Sequence, residues 1–288
     1  GWLKNQKSYE YYVVDGKKLF VSGELLEKDY NLRGQVIETR STTFTTISQT
    51  TVTSFGPEIK GSDYLDYLST KDLGFAENEV CRKVTITRNL EYTSSGKYPS
   101  KIEKIDLNVM HNQSSVVKDL LKGKNYIDLS KFIAVKGQEI LKAGFTGTGQ
   151  ATQILSSNFY MENGLRRYSD GNLEINTFDF DNNIKTETYK LDYLLQENAN
   201  AEDLGRYDVV LSGFSEQTKQ YDNYNFQTSS VSTDYDVLDG ETRLEGYLTL
   251  ADLKSMTNLT AFVPVAEAKK VSSLRVLRAS EETILKIN

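Results

Sequence analysis

The chain has 288 residues, of which 38% are hydrophobic and 26% charged, with 18 Tyr and 12 Phe. This apolar and aromatic content can build a core and excludes a disordered chain, and the length favours two domains over one. The net charge of -6 opposes binding to nucleic-acid phosphates, and no long run of Lys and Arg offsets it. We therefore expect no nucleic-acid partner. No apolar run approaches the roughly 20 residues of a membrane-spanning helix, so we expect no membrane span either.

The cysteine content gives a weak indication of where the protein works. Cys81 is the single cysteine of the chain, so no internal disulfide can form. The absence of cystines fits the cytosol or a bacterial surface protein. Because the chain is also rich in Thr, Ser, Asn and Tyr, we expect an extracytoplasmic protein, either secreted or attached to a surface.

The first half of the chain reads as hairpins with short helices between them. Asp15-Gly16 separates two strand-like runs and predicts a hairpin over residues 7–21. Residues 35–53 are so rich in β-branched side chains that strands are favoured over a helix. Residues 79–92 and 101–110 predict a second hairpin, whereas the spacing of apolar residues over 62–73 and 114–121 predicts short helices.

A glycine-rich segment near the middle, Gly144–Gly149, reads GFTGTG. Three glycines in six residues resist a regular element and predict a linker. It lacks the Lys-Ser/Thr pair of a phosphate-binding loop and has no helix after it. We therefore expect one β-rich module over residues 1–146 and a second over residues 147–288.

The segment Phe159–Phe180 carries two Asx-Gly pairs, Asn163-Gly164 and Asp170-Gly171, which predict two turns. Aligned without gaps on residues 11–32, it places Gly164 on Gly16 and Gly171 on Gly23. This similarity predicts that the second module is a duplicate of the first, with these glycines in corresponding turns. The alternative is chance, since Tyr, Gly and Asx are common in all β proteins.

The rest of the second half continues the hairpin pattern. Strands are predicted over residues 184–195, 206–214, 223–237 and 242–250. Residues 251–256 predict one or two helical turns, and the tail predicts three closing strands over 261–268, 272–279 and 282–288. The predicted fold is mainly β, with two similar antiparallel β modules built from hairpins and a few short helices.

The sequence offers little catalytic or metal chemistry. His111 is the only histidine, which excludes a multi-histidine zinc site, and Cys81 reads as a small buried hydrophobe in a strand. Asp179, Asp181 and Asn183 provide oxygen ligands that a calcium ion could use, but the Gly and distal Glu of an EF-hand loop are missing. An Asx turn at a hairpin tip is the favoured reading of these residues. No catalytic residue and no cofactor are predicted.

Clusters of Tyr with Asp and Asn are the best candidates for binding. Exposed side chains of this kind stack on and hydrogen-bond a sugar, or they form a protein interface, and half-buried strand tyrosines are the alternative. The candidates are Tyr221, Asp222, Tyr224 and Tyr235.

We accordingly expect a non-enzymatic surface or secreted protein that recognises a macromolecular partner, a protein or a glycan on a surface, through exposed loops. One alternative is a carbohydrate-active enzyme that uses paired carboxylates. The other is a structural subunit of an envelope, fibre or phage assembly, in which edge strands pair between copies.

Overall fold

The computed structural model describes residues 3–14, 17–46, 79–109, 132–237, 242–243, 248–255 and 274–283. These residues form thirteen strands, one short α-helix and a 3₁₀ turn at Leu204–Arg206. The prediction of a mainly β protein built from antiparallel hairpins is confirmed. The predicted helices over 62–73 and 114–121, the predicted strand over 261–268 and His111 lie outside the described residues.

The strands lie beside one another largely in the order of the chain. Successive strands from β1 to β11 are neighbours, β13 pairs with β11, and β12 pairs with the first part of β10. Their bounds are β1 Asn5–Val14, β2 Lys17–Tyr30, β3 Val36–Thr46, β4 Glu79–Tyr92, β5 Pro99–Val109, β6 Phe132–Phe145, β7 Ala151–Glu162, β8 Leu165–Asp179, β9 Asn182–Leu195, β10 Tyr207–Tyr221, β11 Gln227–Val237, β12 Thr242–Arg243 and β13 Leu274–Thr283. The tail thus continues as one strand, β13, across the break that the sequence suggests between residues 279 and 282.

The chain forms two compact units. The first comprises Gly1–Asn89 with Glu103–Lys136, and the second comprises Leu90–Ile102 with Gly137–Asn288. The segment Gly144–Gly149 ends β6 and forms a hydrogen-bonded loop before β7, in which Thr146 N donates to Gln150 O at 2.9 Å. It is therefore a hairpin loop and not a linker. The division into modules at residue 146 stays a prediction.

The core of the first unit is one cluster of side chains from consecutive strands. Strand β3 shows the pattern, since Thr42 and Phe44 are buried while Thr43 between them is exposed. This period of two is what a strand with one covered face requires. The buried members of the cluster are Leu25, Phe44, Val84, Ile86, Leu107 and Phe132.

The core of the second unit is more aromatic. In β7 every second residue from Ala151 to Phe159 is buried, which shows one face turned inward along the first nine of its twelve residues. The buried tyrosines pack edge to face with their neighbours, as Tyr168 does with Phe159 and Tyr207 at 5.7 Å between ring centres. Other fully buried side chains are Leu155, Leu173, Tyr189, Leu191, Leu211 and Phe214.

A short helix, α1 (Leu250–Ser255), covers part of this core with Leu250 and Leu253. It begins where Thr249 Oγ1 accepts the N–H of Asp252 at 3.2 Å and Asp252 Oδ2 accepts the N–H of Thr249 at 2.9 Å. This reciprocal cap satisfies backbone donors that a helix start otherwise leaves unpaired. The predicted helical turns over 251–256 are confirmed to within one residue.

The two glycines of the second aligned pair, Gly23 and Gly171, do not lie in turns. Gly164 does form the β7–β8 turn, with φ +81°, whereas Gly171 lies inside β8 and Gly23 inside β2. A Cβ on Gly171 would overlap the backbone oxygen of Ser156 and the hydroxyl of Tyr193. The prediction of a turn at Asp170-Gly171 is therefore wrong, because glycine serves here to admit an aromatic side chain close to the backbone.

The two sets β1–β2–β3 and β7–β8–β9 nevertheless share their register. The β1–β2 ladder slips by one residue between Glu10 and Tyr11, and the β7–β8 ladder slips at the aligned position between Asn158 and Phe159. The β2–β3 and β8–β9 ladders also slip at aligned positions, after Asp29 and after Thr177. Matching bulges are what a duplicated module would contain, and the duplication itself stays a prediction.

We predict that Gly171→Ala lowers the free energy of unfolding by about 1–3 kcal/mol, because the added methyl group overlaps backbone that cannot move without breaking the ladder. Urea denaturation measures the effect. Gly147→Ala is the matched control, since a Cβ there meets nothing within 4 Å, and we expect a change within about 0.5 kcal/mol. Equal effects of the two substitutions would contradict the close approach at Gly171.

Candidate functional site

Among the described residues, three hairpin loops have the same backbone structure, over residues 31–35, 146–150 and 222–226. In each, the first N–H donates to the fifth carbonyl and the fourth N–H to the first carbonyl. The fourth residue has positive φ, at Gly34, Gly149 and Asn225. These are the features of a type I turn followed by a bulge, which restricts mainly the first and fourth residues. The second, third and fifth residues are therefore not dictated by the backbone.

The loop over residues 222–226 places two aromatic side chains at its surface. Asp222 Oδ1 accepts the N–H of Tyr224 at 2.8 Å and that of Phe226 at 3.0 Å, so the Asp222 carboxylate holds the loop together. The side chains of Tyr224 and Phe226 are 77% and 59% exposed. The corresponding third and fifth residues of the other two loops are Arg33 with Gln35 and Thr148 with Gln150. Since those loops form without aromatic residues, loop formation does not explain Tyr224 and Phe226.

The neighbouring β8–β9 turn carries a third aromatic residue, Phe180. Its backbone has φ +50°, and the other non-glycine residues with positive φ in the described ranges are all Asn, namely Asn163, Asn198 and Asn225. A residue with a Cβ loses about 1–2 kcal/mol in this conformation, which Asn tolerates best. The Phe180 side chain is 92% exposed, so burial gives no compensating stability. Neither packing nor backbone geometry explains why the residue is Phe.

Hydrogen bonds tie these loops together at one end of the second unit. Thr148 Oγ1 donates to Asp181 Oδ1 at 2.8 Å, and Gln150 Nε2 donates to Asp181 O at 3.2 Å. Asn182 Nδ2 donates to Asn225 Oδ1 at 3.0 Å. We call Phe180, Tyr224 and Phe226 the tip cluster. The amide pair holds the two loops that carry it side by side, which limits the freedom that binding would otherwise have to remove.

The structure brings three of the four predicted binding residues to this end. Tyr224 is exposed in the tip cluster, Asp222 holds its loop, and the Tyr221 hydroxyl donates to Asn183 O at 3.1 Å. Tyr235 lies elsewhere: it is half-buried in β11 and packs on Phe214 at 5.5 Å between ring centres. At the strand rise of about 3.3 Å per residue it lies about 30 Å along the strand from Phe226.

The calcium candidates lie at the same end. Asp181 Oδ1 is engaged by Thr148, and the Asn183 amide donates to Asn176 Oδ1 and Thr186 Oγ1 at 3.0 and 2.9 Å. The part of the chain that the structure describes holds no group of three or more His, Cys, Asp or Glu side chains placed to bind a metal ion. A calcium site at Asp179, Asp181 and Asn183 stays a prediction, and the hydrogen bonds here fit the alternative of a polar turn.

Sequence reasoning missed Phe180 and Phe226. Both lie in short polar segments, DFDNN and DNYNF, where the acidic and amide residues attract attention first. The only signal was an aromatic residue inside a turn, where Gly, Asn, Asp, Ser and Pro are usual.

A buried ionic cluster lies on a different part of the second unit. Glu139 of β6 accepts Tyr168 Oη at 2.6 Å and Arg166 at 3.0 Å with one oxygen, and Lys254 of α1 at 2.6 Å with the other. Lys254 Nζ also lies 3.7 Å from the centre of the Tyr168 ring. Burial by itself raises the pKa of Glu139, but the charge and hydrogen bonds of these donors outweigh it and hold the pKa below its usual value. The cluster fastens α1 to the sheet.

Two further features bear on the enzyme alternative. A pocket of about 290 Å³ opens beside Tyr160, Tyr168 and Tyr193, and none of its lining residues is acidic. Burial raises the pKa of Glu27 in the first unit, against the effect of Arg40, and Glu27 does not line that pocket. An acid pair of the kind that glycoside hydrolysis requires is not present at this pocket.

Within the described ranges no helix combines the length and the apolar character needed to cross a membrane. Comparison with models of known protein families finds no match, and comparison with curated proteins finds none either.

We predict that Glu139→Gln lowers the free energy of unfolding at pH 7 by about 3 kcal/mol, because the largely buried Lys254 loses its counter-charge, as does the more exposed Arg166. The folded-state pKa of Glu139 lies below the unfolded value of 4.5, so this stabilisation is complete above pH 4.5 and is lost as pH falls through the folded pKa. Denaturation at several pH values should show the difference from wild type shrinking in acid. Glu162→Gln, which opens the exposed ion pair with Arg167, should cost less than about 1 kcal/mol. If the loss of unfolding free energy in Glu139→Gln did not change with pH, the lowered pKa of Glu139 would be contradicted.

We predict that Phe180→Asn raises the free energy of unfolding by about 0.5–1.5 kcal/mol, because Asn tolerates the left-handed backbone and no buried contact is lost. Thermal and urea denaturation measure it. The reciprocal control is Asn163→Phe in the β7–β8 turn, where φ is +52°, and this change should destabilise by a similar amount. Destabilisation by Phe180→Asn would show that the Phe side chain makes a structural contact after all.

Proposed function

We propose that the protein is a non-enzymatic surface or secreted protein that binds a macromolecular partner through the tip cluster of its second unit. The observation that carries the proposal is Phe180, a large apolar side chain that is 92% exposed on an unfavourable backbone conformation. Residues that cost stability without a structural return concentrate at functional sites. Loops on a β scaffold are also the usual place for recognition.

The neighbourhood of Phe180 supports a binding role. Tyr224 and Phe226 add exposed aromatic area on the adjacent loop, and aromatic residues dominate the energetics of most interfaces. The hydrogen bonds through Asp181, Asn182 and Asn225 fix these loops before any partner arrives. A prearranged aromatic surface of this kind binds with a small loss of conformational entropy.

We predict that the combined substitution Phe180→Asn, Tyr224→Ser and Phe226→Ser weakens binding to a cell-surface extract by about 30-fold or more, since a single central aromatic residue is worth at least about 2 kcal/mol at an interface. Biolayer interferometry with the extract immobilised measures the change. Unfolding curves should show that the variant keeps its fold, because none of the three side chains is buried.

The matched control is Leu32→Ser. Leu32 is a fully exposed apolar residue in a loop of the same structure in the first unit, so its removal changes exposed apolar area without touching the tip cluster. We expect this variant to bind like wild type. Equal binding by wild type and the triple variant would refute the proposal.

A further inference from the structure

We infer that the tip cluster takes an uncharged glycan, whose sugar ring stacks on the aromatic side chains while its hydroxyl groups pair with the Asn182 and Asn225 amides. This inference rests on the proposed function and names the class of ligand for the same surface. The alternative of a protein partner is left to the experiment below.

The aromatic rings provide one half of the match. The faces of Phe180, Tyr224 and Phe226 carry the negative side of the aromatic quadrupole, which attracts weakly positive C–H groups. One face of a pyranose ring presents several axial C–H groups in a plane, so it fits flat on such a ring. Exposed rings on short loops suit a ligand that approaches from solvent and lies across them.

The amide pair provides the other half. Asn182 Nδ2 donates to Asn225 Oδ1, and among the described residues no further hydrogen bond is made by Asn182 Oδ1 or Asn225 Nδ2. The pair therefore presents one acceptor and one donor, fixed relative to each other, on the same two loops that carry the tip cluster. Two neighbouring sugar hydroxyls each donate and accept, so they can bind both atoms at once.

The charge of the loops disfavours an anionic ligand. The segments 146–150, 179–183 and 222–226 contain no Lys, Arg or His, so no cation within them could bind a phosphate, sulfate or sialic-acid group. Asp181 and Asp222 lie among them and would repel an anion, although the Asp181 carboxylate accepts a hydrogen bond from Thr148 of the neighbouring loop and the Asp222 carboxylate accepts the N–H of Tyr224 within its own loop. Anionic lipids and anionic glycans are disfavoured for the same reason.

The extent of the surface favours a glycan over a protein. A stable protein interface covers about 800 Å² on each partner and surrounds its central residues with contacts that exclude water. The tip cluster and the amide pair together comprise three aromatic side chains and two amides on the tips of two loops. That is the scale of one or two sugar rings.

The test is an array of neutral oligosaccharides printed beside their sialylated and sulfated counterparts, followed by saturation-transfer NMR with the neutral oligosaccharide that binds best. We expect binding to neutral spots, with the strongest saturation at ring C–H protons. The triple variant Phe180→Asn, Tyr224→Ser and Phe226→Ser should bind at least about tenfold more weakly. Asn225→Gly should do likewise, since Gly keeps the positive φ and removes only the amide, whereas Leu32→Ser should bind like wild type.

A parallel measurement on cell-surface extract separates the two levels of the proposal. The glycan inference is wrong if the array is blank or only anionic spots bind. The proposed function still stands in that case if binding to the extract resists periodate but is lost after protease treatment and in the triple variant. If the triple variant equals wild type on both the array and the extract, both are wrong. Co-sedimentation of wild type, but not the triple variant, with neutral phosphatidylcholine vesicles would also overturn the glycan inference.

Discussion

The pairing register of the antiparallel strands is the constraint on which the other features of each unit depend. Because side chains alternate between the two faces of a strand, a slip of one residue would turn Leu155 and Phe159 out of the core and their polar neighbours into it. The register also fixes which loops become neighbours. Strands β6 to β11 run in sequence, so the loops after β6, β8 and β10 emerge at one end and can hydrogen-bond through Asp181 and Asn225.

The buried carboxylate of Glu139 adds a second, local constraint to the same unit. A short isolated helix such as α1 is unstable in water, so its position depends on contacts with the sheet. Leu250 and Leu253 supply apolar contact, and Lys254 supplies a charged contact with one specific partner, the Glu139 carboxylate. Such an ion pair stabilises little overall once the cost of removing the charges from water is counted, but it strongly disfavours arrangements that separate its partners.

Most of the strands were predictable from sequence, because alternation and turn residues are local signals. Asp170-Gly171 shows where local signals fail. The same dipeptide that marks a type I′ turn also occurs where a strand needs room for a neighbouring ring, and only the position of Tyr193 distinguishes the two. The candidate site was predictable in part for a similar reason: Tyr224 lies in a visibly polar aromatic segment, whereas Tyr235 shares that composition and lies half-buried in a strand.

Phe180 could not have been predicted, because it contradicts the local rule. At the other described non-glycine positions with positive φ the chain uses Asn, which shows that a well-suited residue was available for this backbone. Phe180 departs from the pattern of its own chain and gains nothing from burial, and its turn is hydrogen-bonded to the loop that carries Tyr224 and Phe226. Under the proposed function, a binding partner accounts for this departure. The register of the strands and the Asn182–Asn225 bond supply rigidity, so the stability lost at Phe180 is confined to one turn. The side chains that build the core and those of the tip cluster are therefore different residues of the same hairpins, so the proposed binding surface makes no use of the buried residues that stabilise the fold.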